Sequence, residues 1–331
     1  MTCCRWILCG LLLVFCGQSR AQDVRTYHGD PIPPELEAAY VRGLNYLMRS
    51  QGQDGNWGSQ HGESGPGITG LALLAILAHG DDPNYGPYAA TCQRAVDAII
   101  KSQNAGNGYL GYSMYHHGFA TLALAEAYGA INDARIGPAL KKAVDLILTS
   151  QAQNKQGGWR YAPTADDADT TVSGAQMVAL LAARNAGLAI PDEAIKRGLE
   201  FYRACQSPDG GIGYTGADAG NGPRTAIGTL VTALAKHKES RLFAGGWNFL
   251  QSHGEQDAGQ YYFYYLYYAA QAYFQADMKA WREWNAANMQ RLAGVQGADG
   301  GWDGPFGAAF TTSTALLSMA LNYRFLPIYE R

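Results

Sequence analysis

The sequence has little charge and no excess of basic residues. Asp, Glu, Lys and Arg together make up 16% of its 331 residues, and the formal net charge is −3 at pH 7. A protein that binds nucleic acid presents a basic face to the phosphates. We therefore expect no nucleic-acid partner. The hydrophobic content of 47% predicts a globular chain with a substantial core.

Cysteines are scarce outside the first segment of the chain. Only Cys92 and Cys205 follow Cys16. Two cysteines do not make the disulfide framework of a small secreted domain. They also lie in non-adjacent copies of the repeat described below, so a bond between them is not expected. We predict two buried thiols.

The apolar run at the N-terminus is too short to span a bilayer. Trp6–Phe15 has about ten residues, and a membrane-spanning helix needs about 20. Arg5 precedes the run, and Ser19-Arg20-Ala21 follows it as a small-x-small cleavage site. This order predicts a secretory signal peptide over residues 1–21. The mature chain, residues 22–331, is then exported as one domain, and membrane association is not indicated once the signal is removed.

A repeated, glycine-rich pattern runs along the rest of the chain. The stretch Arg42–Trp57 reads as the end of an amphipathic helix, then a Gln, then a glycine-rich turn that closes on Trp. Variants of it return at intervals of roughly fifty residues, which is typical of a repeat architecture. The repeated Gln stands at Gln51, Gln103, Gln151, Gln206 and Gln296, with Gly254 in the equivalent place of one degenerate copy.

Each repeat is predicted to hold two helices. In the first repeat Leu36, Tyr40, Leu44 and Leu47 form one apolar stripe at helical spacing, whereas the next segment, Ile68–Ala78, is apolar on every side. A helix that is apolar all round belongs in an interior. We therefore predict an outer ring of amphipathic helices around an inner ring of apolar ones. Six such pairs suit a closed ring, which leaves no terminal repeat with an exposed apolar face.

The repeat resembles the QW motif. The residues that match it, place for place in the first copy, are Arg42, Gly43, Tyr46, Leu47, Gln51, Gly55 and Trp57. The chain thus resembles the prenyltransferase and squalene-cyclase repeat family over nearly all of its mature length. The resemblance implies an all-α fold, an α6/α6 toroid of six helical hairpins around a central cavity. The repeated Gln and Trp are expected to join neighbouring hairpins rather than to react.

An acidic stretch precedes one inner helix. Asp167 and Asp169 match the first two acids of the Asp-x-Asp-Asp-Thr motif of polyene cyclases, while Thr170 replaces the third. The resemblance implies that Asp169 is a proton donor with Asp167 as its partner, and we take both as candidate catalytic residues. The alternative is that Asp169 only caps the helix, because it stands directly before an apolar helical run.

Two further stretches place polar residues at helix entrances, the first of them just before an inner helix predicted near Phe119–Tyr128. His117 is a candidate acid or base, since a His near a carboxylate in a cleft can move protons. Its neighbour His116 is a candidate substrate-binding residue. Arg224 is predicted at the same level, where it would hold a carboxylate or phosphate of a ligand. A structural hydrogen-bonded histidine and a structural ion pair are the alternatives for these positions.

A tyrosine-rich stretch begins the fifth inner helix. From it we take Tyr261, Tyr262 and Tyr265 as candidate substrate-binding residues, because phenol rings stack on a sugar, an isoprenoid or a carbocation. Six tyrosines between Tyr261 and Tyr268 point to every face of one helix, so some of them only pack.

No metal or cofactor is predicted. Protein prenyltransferases hold zinc with an Asp-x-Cys pair and a His, and the sequence has no Asp-x-Cys. The adjacent histidines His116 and His117 lack metal-ligand spacing, because neighbouring side chains on a helix or strand diverge. The Cys-x-x-Gln arrangement of thioester toroids is missing as well.

Three functions follow from these residues, and the sequence does not choose among them or settle whether the protein is an enzyme. The first is a terpenoid-cyclase-like enzyme with Asp169 at the mouth of an aromatic cavity. The second is an exported lyase or glycosidase that uses carboxylates and His117 on a saccharide. The third is a non-catalytic toroid that binds a ligand or serves as a scaffold. Each takes an isoprenoid or saccharide small molecule as partner.

Overall fold

Helices of two alternating kinds build the described part of the chain. A computed structural model describes residues 31–58, 64–255 and 257–330, and within these ranges twelve α-helices form six hairpins without a β-strand. The outer helices are α1 (Pro34–Ser50), α3 (Ala89–Lys101), α5 (Ile136–Gln153), α7 (Asp192–Ala204), α9 (Arg241–His253) and α11 (Met278–Val295). The inner helices are α2 (Pro66–Leu77), α4 (Met114–Ala127), α6 (Thr170–Asn185), α8 (Gly222–Leu234), α10 (Tyr262–Ala276) and α12 (Ala308–Met319). The predicted all-α class is confirmed.

The inner helices close into a ring. Each of α2, α4, α6, α8, α10 and α12 contacts the next in this order, and α12 contacts α2. Every residue of α2 is buried, whereas α1 buries one stripe that includes Leu36, Tyr40, Leu44 and Leu47. Helix α1 contacts both α12 and α2. The last hairpin is thereby packed against the first, as six pairs with apolar inner faces require.

The repeated glutamines connect neighbouring hairpins. In each of the five copies that keep the Gln, its amide nitrogen donates to a glycine carbonyl of its own turn and to a carbonyl in the first two turns of the next outer helix. The acceptors are those of Gly55 and Thr91 for Gln51, Gly108 and Ala139 for Gln103, Gly157 and Ala194 for Gln151, Gly210 and Leu242 for Gln206, and Gly300 and Ala39 for Gln296. The predicted connecting role is confirmed, and the bond from Gln296 to Ala39 closes the ring.

We expect Gln151→Ala to lower the free energy of unfolding by about 1–3 kcal/mol, because buried carbonyls then lose their donor. Gln151 is buried and donates to Gly157 and Ala194 at 2.8 and 2.9 Å. Urea denaturation measures the change. The exposed Gln53→Ala is the matched control and should stay within about 0.5 kcal/mol of the wild type. Equal effects of the two substitutions would contradict the connecting role.

Glycine is required where a turn meets the next outer helix. Gly210 has φ +91°, and a Cβ atom built on it would lie 2.3 Å from the carbonyl oxygen of Gly245 in α9. The left-handed backbone and the close approach both exclude a side chain. This explains why a glycine with positive φ follows the repeated Gln by four to six residues in the five copies that keep the Gln.

Helix α4 begins earlier than the sequence predicts. We expected it near Phe119, but it starts at Met114. His116 and His117 therefore lie in its first turn, where successive side chains point in different directions. The earlier start of α4 therefore determines which way the side chains of the two histidines point.

Cys92 and Cys205 are buried free thiols, as predicted. The predicted signal peptide, residues 1–21, lies outside the described residues. Among the helices that are described, none has both the length and the apolar character needed to cross a bilayer.

Candidate functional site

A cavity of about 610 Å³ opens at the N-terminal ends of the inner helices. Fourteen described residues line it: Ser64, Gly67, Ile68, Leu71, Tyr112, Ser113, Tyr115, His116, Phe119, Tyr161, Tyr261, Tyr264, Phe306 and Phe310. Eight of them are Tyr or Phe, and none is Asp, Glu, Lys or Arg. A cavity of this size with such a wall fits an apolar small molecule.

Exposed aromatic side chains stand at the mouth of the cavity. Tyr112 is 80% exposed, and Tyr161 and Tyr261 are each 46% exposed. Tyr261 stacks on Phe306 with ring centroids 5.5 Å apart. Deeper in the cavity the wall is formed by buried residues such as Phe119 and Tyr264. Aromatic contacts thus continue from the solvent to the interior.

The tyrosine-rich helix supplies the cavity with only part of the predicted set. Tyr261 lines the cavity, and so does Tyr264, which the sequence analysis missed. Tyr262 is not among the described lining residues: its hydroxyl instead bonds the guanidinium of Arg291. Tyr265 is fully buried away from the cavity wall, with its hydroxyl facing Gly254. The geometry therefore does not support ligand binding by Tyr262 and Tyr265.

Asp169 is buried behind the cavity wall and caps α6. Its Oδ1 accepts the backbone N–H groups of Thr171 and Val172 at 2.9 and 2.8 Å and the hydroxyl of Thr171 at 2.6 Å. Its Oδ2 is buried and has no hydrogen-bond partner among the described residues. Burial raises the pKa of Asp169, against the lowering effects of these hydrogen bonds and of Arg160. One oxygen caps the helix, and the other accepts no hydrogen bond from the described residues.

Arg160 joins the two candidate acids. Its Nε lies 3.7 Å from a carboxylate oxygen of the largely exposed Asp167 and 3.8 Å from Oδ2 of Asp169. The guanidinium carbon also lies 5.1 Å from the ring centroid of Tyr161 and 5.2 Å from that of Tyr214. The sequence analysis missed Arg160, because it stands in the loop before α6 without a motif of its own.

His117 points away from the cavity. Its Nδ1 accepts the N–H of Leu110 at 3.1 Å, and its Nε2 donates to the carbonyl of Ala143 in α5 at 3.0 Å. Both ring nitrogens are occupied, and burial lowers the pKa of His117 to about 4. The expected catalytic role of His117 has no support in this geometry. The side chain instead connects α4 to α5.

His116 lines the cavity, as expected of a substrate-binding residue. Its Nδ1 accepts the N–H of Gly67 at 3.2 Å, so the ring proton is on Nε2. Burial lowers the pKa of His116, which favours the neutral imidazole.

Arg224 holds a loop rather than the cavity. Its guanidinium donates to the carbonyls of Ile212 and Ala219 at 3.2 and 2.7 Å, and its carbon lies 5.9 Å from the ring centroid of Tyr214. It is not among the described lining residues. A ligand-binding role for Arg224 is therefore not supported by its contacts.

Comparison with known proteins gives a result at the level of structure only. No family model and no curated protein sequence matches the chain. Among solved structures, type II terpene cyclase MstE from Scytonema, in complex with geranylgeranyl dihydroxybenzoate as substrate, superposes with a TM-score of 0.58 at 16% identity, covering 88% of this chain and 98% of that one.

Two glycoside hydrolases are similar to the same extent. An inactive variant of an α-1,6-mannanase from Salegentibacter, in complex with α-1,6-mannotriose, has a TM-score of 0.66 at 11% identity over 87% of this chain and 99% of that one. A family 76 glycoside hydrolase from a bovine Bacteroides thetaiotaomicron strain has a TM-score of 0.64 at 9% identity over 87% and 77% of the two chains. The fold is an α/α toroid. At such identities the likeness shows the fold alone.

The toroid brings together only some of the predicted site residues. His116 and Tyr261 line the cavity. Asp169 lies behind the wall, with one side chain between them: Tyr115 of the wall forms a hydrogen bond with the hydroxyl of Thr171, and this hydroxyl donates to Asp169. In the described part of the toroid, no group of three or more His, Cys, Asp or Glu side chains is arranged to hold a metal ion.

We expect the wild-type toroid to lose stability relative to Asp169→Asn as the pH rises from below about 4. Burial raises the pKa of Asp169 in the folded state, so folding disfavours the ionised form. The loss develops between the pKa of Asp169 in the unfolded chain and its higher pKa in the folded chain. Urea denaturation of both proteins between about pH 3.5 and 7 measures it. A gain for the wild type over this range would show that Arg160 and the cap outweigh burial.

Proposed function

We propose that this toroid binds an elongated apolar small molecule of the isoprenoid class in its aromatic cavity. The observation that carries the proposal is the composition of the cavity wall, in which eight of the fourteen described residues are Tyr or Phe and none is Asp, Glu, Lys or Arg. An isoprenoid chain gains from burial against such a wall, and its double bonds or a derived cation are stabilised by ring faces.

Asp169 is the acid–base candidate of the proposed site. It is a buried carboxyl with one oxygen that accepts no hydrogen bond from the described residues, and a raised pKa favours its protonated form. Asp167 acts on it only through the shared Arg160. We propose a terpenoid-cyclase-like setting in which Asp169 acts on the cavity only through Thr171 and Tyr115, since Asp169 does not line the wall itself and His117 is engaged elsewhere.

A saccharide is the second candidate ligand. The exposed rings of Tyr112, Tyr161 and Tyr261 at the cavity mouth form a surface on which sugar rings stack. Hydrolysis would need two carboxyl groups facing one bond. The adjacent Asp166 and Asp167 are exposed, but their nearest charged partners are Lys155 and Arg160, and neither lines the cavity.

A ligand screen by thermal shift separates the two candidates. We expect farnesol or squalene to raise the melting temperature, whereas α-1,6-mannotriose leaves it unchanged, because only the former match an apolar wall. Stabilisation by the saccharide without any response to isoprenoids would overturn the proposal in favour of a carbohydrate-binding toroid.

We further propose that the protein is exported through residues 1–21. N-terminal sequencing of the secreted form tests this proposal.

A further inference from the structure

A second cavity, of about 290 Å³, lies at the C-terminal ends of two neighbouring inner helices. Its lining includes Ala125, Glu126 and Tyr128 at the end of α4, Ala182 and Asn185 at the end of α6, and Pro327. The aromatic cavity meets α4 at His116, ten residues before Glu126, which corresponds to about 15 Å along the helix axis. The two cavities are therefore separate.

Glu126 is a buried ionisable group in the lining of this second cavity. It is 5% exposed, and its Oε2 accepts no hydrogen bond from the described residues. The backbone N–H of Ile328 donates to the same carboxyl, and the titratable groups that interact with it are Glu330, Tyr267 and Tyr329. None of these three groups is basic. A buried carboxylate without a counterion is unfavourable, so it gains from a ligand that brings a positive charge.

The helix ends around Glu126 favour the same sign of charge. Helices α4 and α6 both end at the cavity, and the C-terminus of a helix carries a partial negative charge. The carbonyls of Ala125 and Glu126 accept no backbone N–H among the described residues, as is usual in the last turn of a helix. The carboxyl and the helix ends thus favour a cation and disfavour an anion.

The size and the wall of the cavity favour an organic cation over a metal ion. A volume of 290 Å³ is much larger than the space of about 30 Å³ that one water molecule takes up in the liquid. A single carboxylate is also a poor site for a divalent ion, which takes several oxygen ligands. The apolar part of the wall, Ala125, Ala182 and Pro327, offers contacts to a short hydrocarbon chain.

We propose that this cavity binds a primary alkylammonium ion, with the ammonium group at the carboxylate of Glu126 and the hydrocarbon chain against Ala125, Ala182 and Pro327. An ammonium group has three N–H donors, which suit a carboxylate and the carbonyls at the end of α4. A neutral alcohol brings no charge, and an anion is repelled. The site does not depend on the proposed isoprenoid binding, because other residues form it.

Calorimetric titration with n-butylammonium, 1-pentanol and butyrate at pH 7 in sodium buffer tests the proposal. We expect n-butylammonium to bind with a dissociation constant below about 1 mM, and about tenfold or more tightly than the other two compounds. Glu126→Gln keeps the shape of the side chain and removes its charge, so it should weaken this binding about tenfold or more. The exposed Glu200→Gln on α7 makes the same change of charge and should bind as the wild type does.

Proton release gives a second test that needs no variant. Burial, followed by the charge of Glu330, raises the pKa of Glu126 to about 8, so the free carboxyl is largely protonated at pH 7. It must ionise when it pairs with the ammonium group. Binding should therefore release most of one proton at pH 7 and little at pH 9. The dependence of the binding enthalpy on the ionisation enthalpy of the buffer measures this release.

The proposal is overturned if n-butylammonium does not bind, binds no better than 1-pentanol, binds equally well to folded Glu126→Gln, or binds without proton release at pH 7. Circular dichroism shows whether each variant is folded. Displacement of n-butylammonium by an equal concentration of KCl would also overturn it, because the site would then take an inorganic cation. None of these results bears on the aromatic cavity, whose ligand the thermal-shift screen tests separately.

Discussion

Trp302→Ala is expected to lower the free energy of unfolding by about 3–5 kcal/mol. The indole is 1% exposed, and its Nε1 donates to the carbonyl of Leu292 in α11 at 2.9 Å. A Cβ atom built on Gly43 of α1 would lie 2.9 Å from the indole, so the ring packs directly on the first helix. The substitution leaves a cavity at the seam where the last hairpin meets the first, and closure of the ring depends on that seam.

Urea denaturation of Trp302→Ala and of a matched exposed variant, Tyr85→Ala, measures the effect. Tyr85 is 84% exposed, and its loss should change the unfolding free energy by less than about 0.5 kcal/mol. A loss below about 1 kcal/mol for Trp302→Ala would mean that the seam contributes little and that the ring is not a cooperative unit.

Acidification should destabilise the protein through His117, by about 3 kcal/mol once the pH is below 4. Burial lowers the pKa of this imidazole from 6.5 to about 4, because the folded chain holds the neutral ring between an N–H and a carbonyl. The unfolded chain binds the proton more readily. The stability contributed by the neutral ring is therefore complete above about pH 6.5 and is lost as the pH falls towards 4.

His117→Gln is the informative comparison, because an amide reproduces one acceptor and one donor. Between pH 6.5 and 4.5 the wild type should lose stability that His117→Gln keeps. Burial also lowers the pKa of His116, but this residue is present in both proteins and its effect cancels in the comparison. Parallel pH profiles of the two proteins would contradict the assignment. Nuclear magnetic resonance titration of the wild type measures the pKa of His117 directly. A value near 6.5 would also contradict the assignment.

Local sequence patterns predicted the parts of this protein that depend on neighbours in the chain. The spacing of Leu36, Tyr40 and Leu44 predicted the buried face of the first outer helix, and the repeat of Gln and Gly predicted the number of hairpins. The alternative of a helix cap at Asp169 was correct, since a cap needs only the next few backbone N–H groups. The cap uses only Oδ1 of Asp169 and leaves Oδ2 without a hydrogen bond from the described residues, so capping does not exclude the proposed acid role of this residue.

Side-chain direction around a helix axis was less predictable. A start at Phe119 instead of Met114 placed both histidines in a loop, and only the true start shows that His116 faces the cavity while His117 faces α5. For the same reason, the sequence analysis named Tyr265 as a ligand-binding residue, whereas Tyr264 is the one that lines the cavity. A spacing of three residues from Tyr261 would have indicated Tyr264.

Contacts between distant loops could not be read from the sequence at all. Arg160 meets Asp169 and Tyr214 only because the loops before α6 and α8 lie together in the folded ring. Arg224 lies at the N-terminal end of an inner helix, as predicted, yet its hydrogen bonds go to carbonyls of the loop that precedes this helix. Charged residues with flexible side chains find partners that local pattern does not specify.

The position of a bound ligand is the measurement that tests the central claim most directly. A crystal structure of the protein grown with farnesol should show the isoprenoid chain against Phe119, Tyr264 and Phe310 in the 610 Å³ cavity. A structure in which that cavity stays empty of farnesol while mannotriose binds beside Asp166 and Asp167 would contradict it.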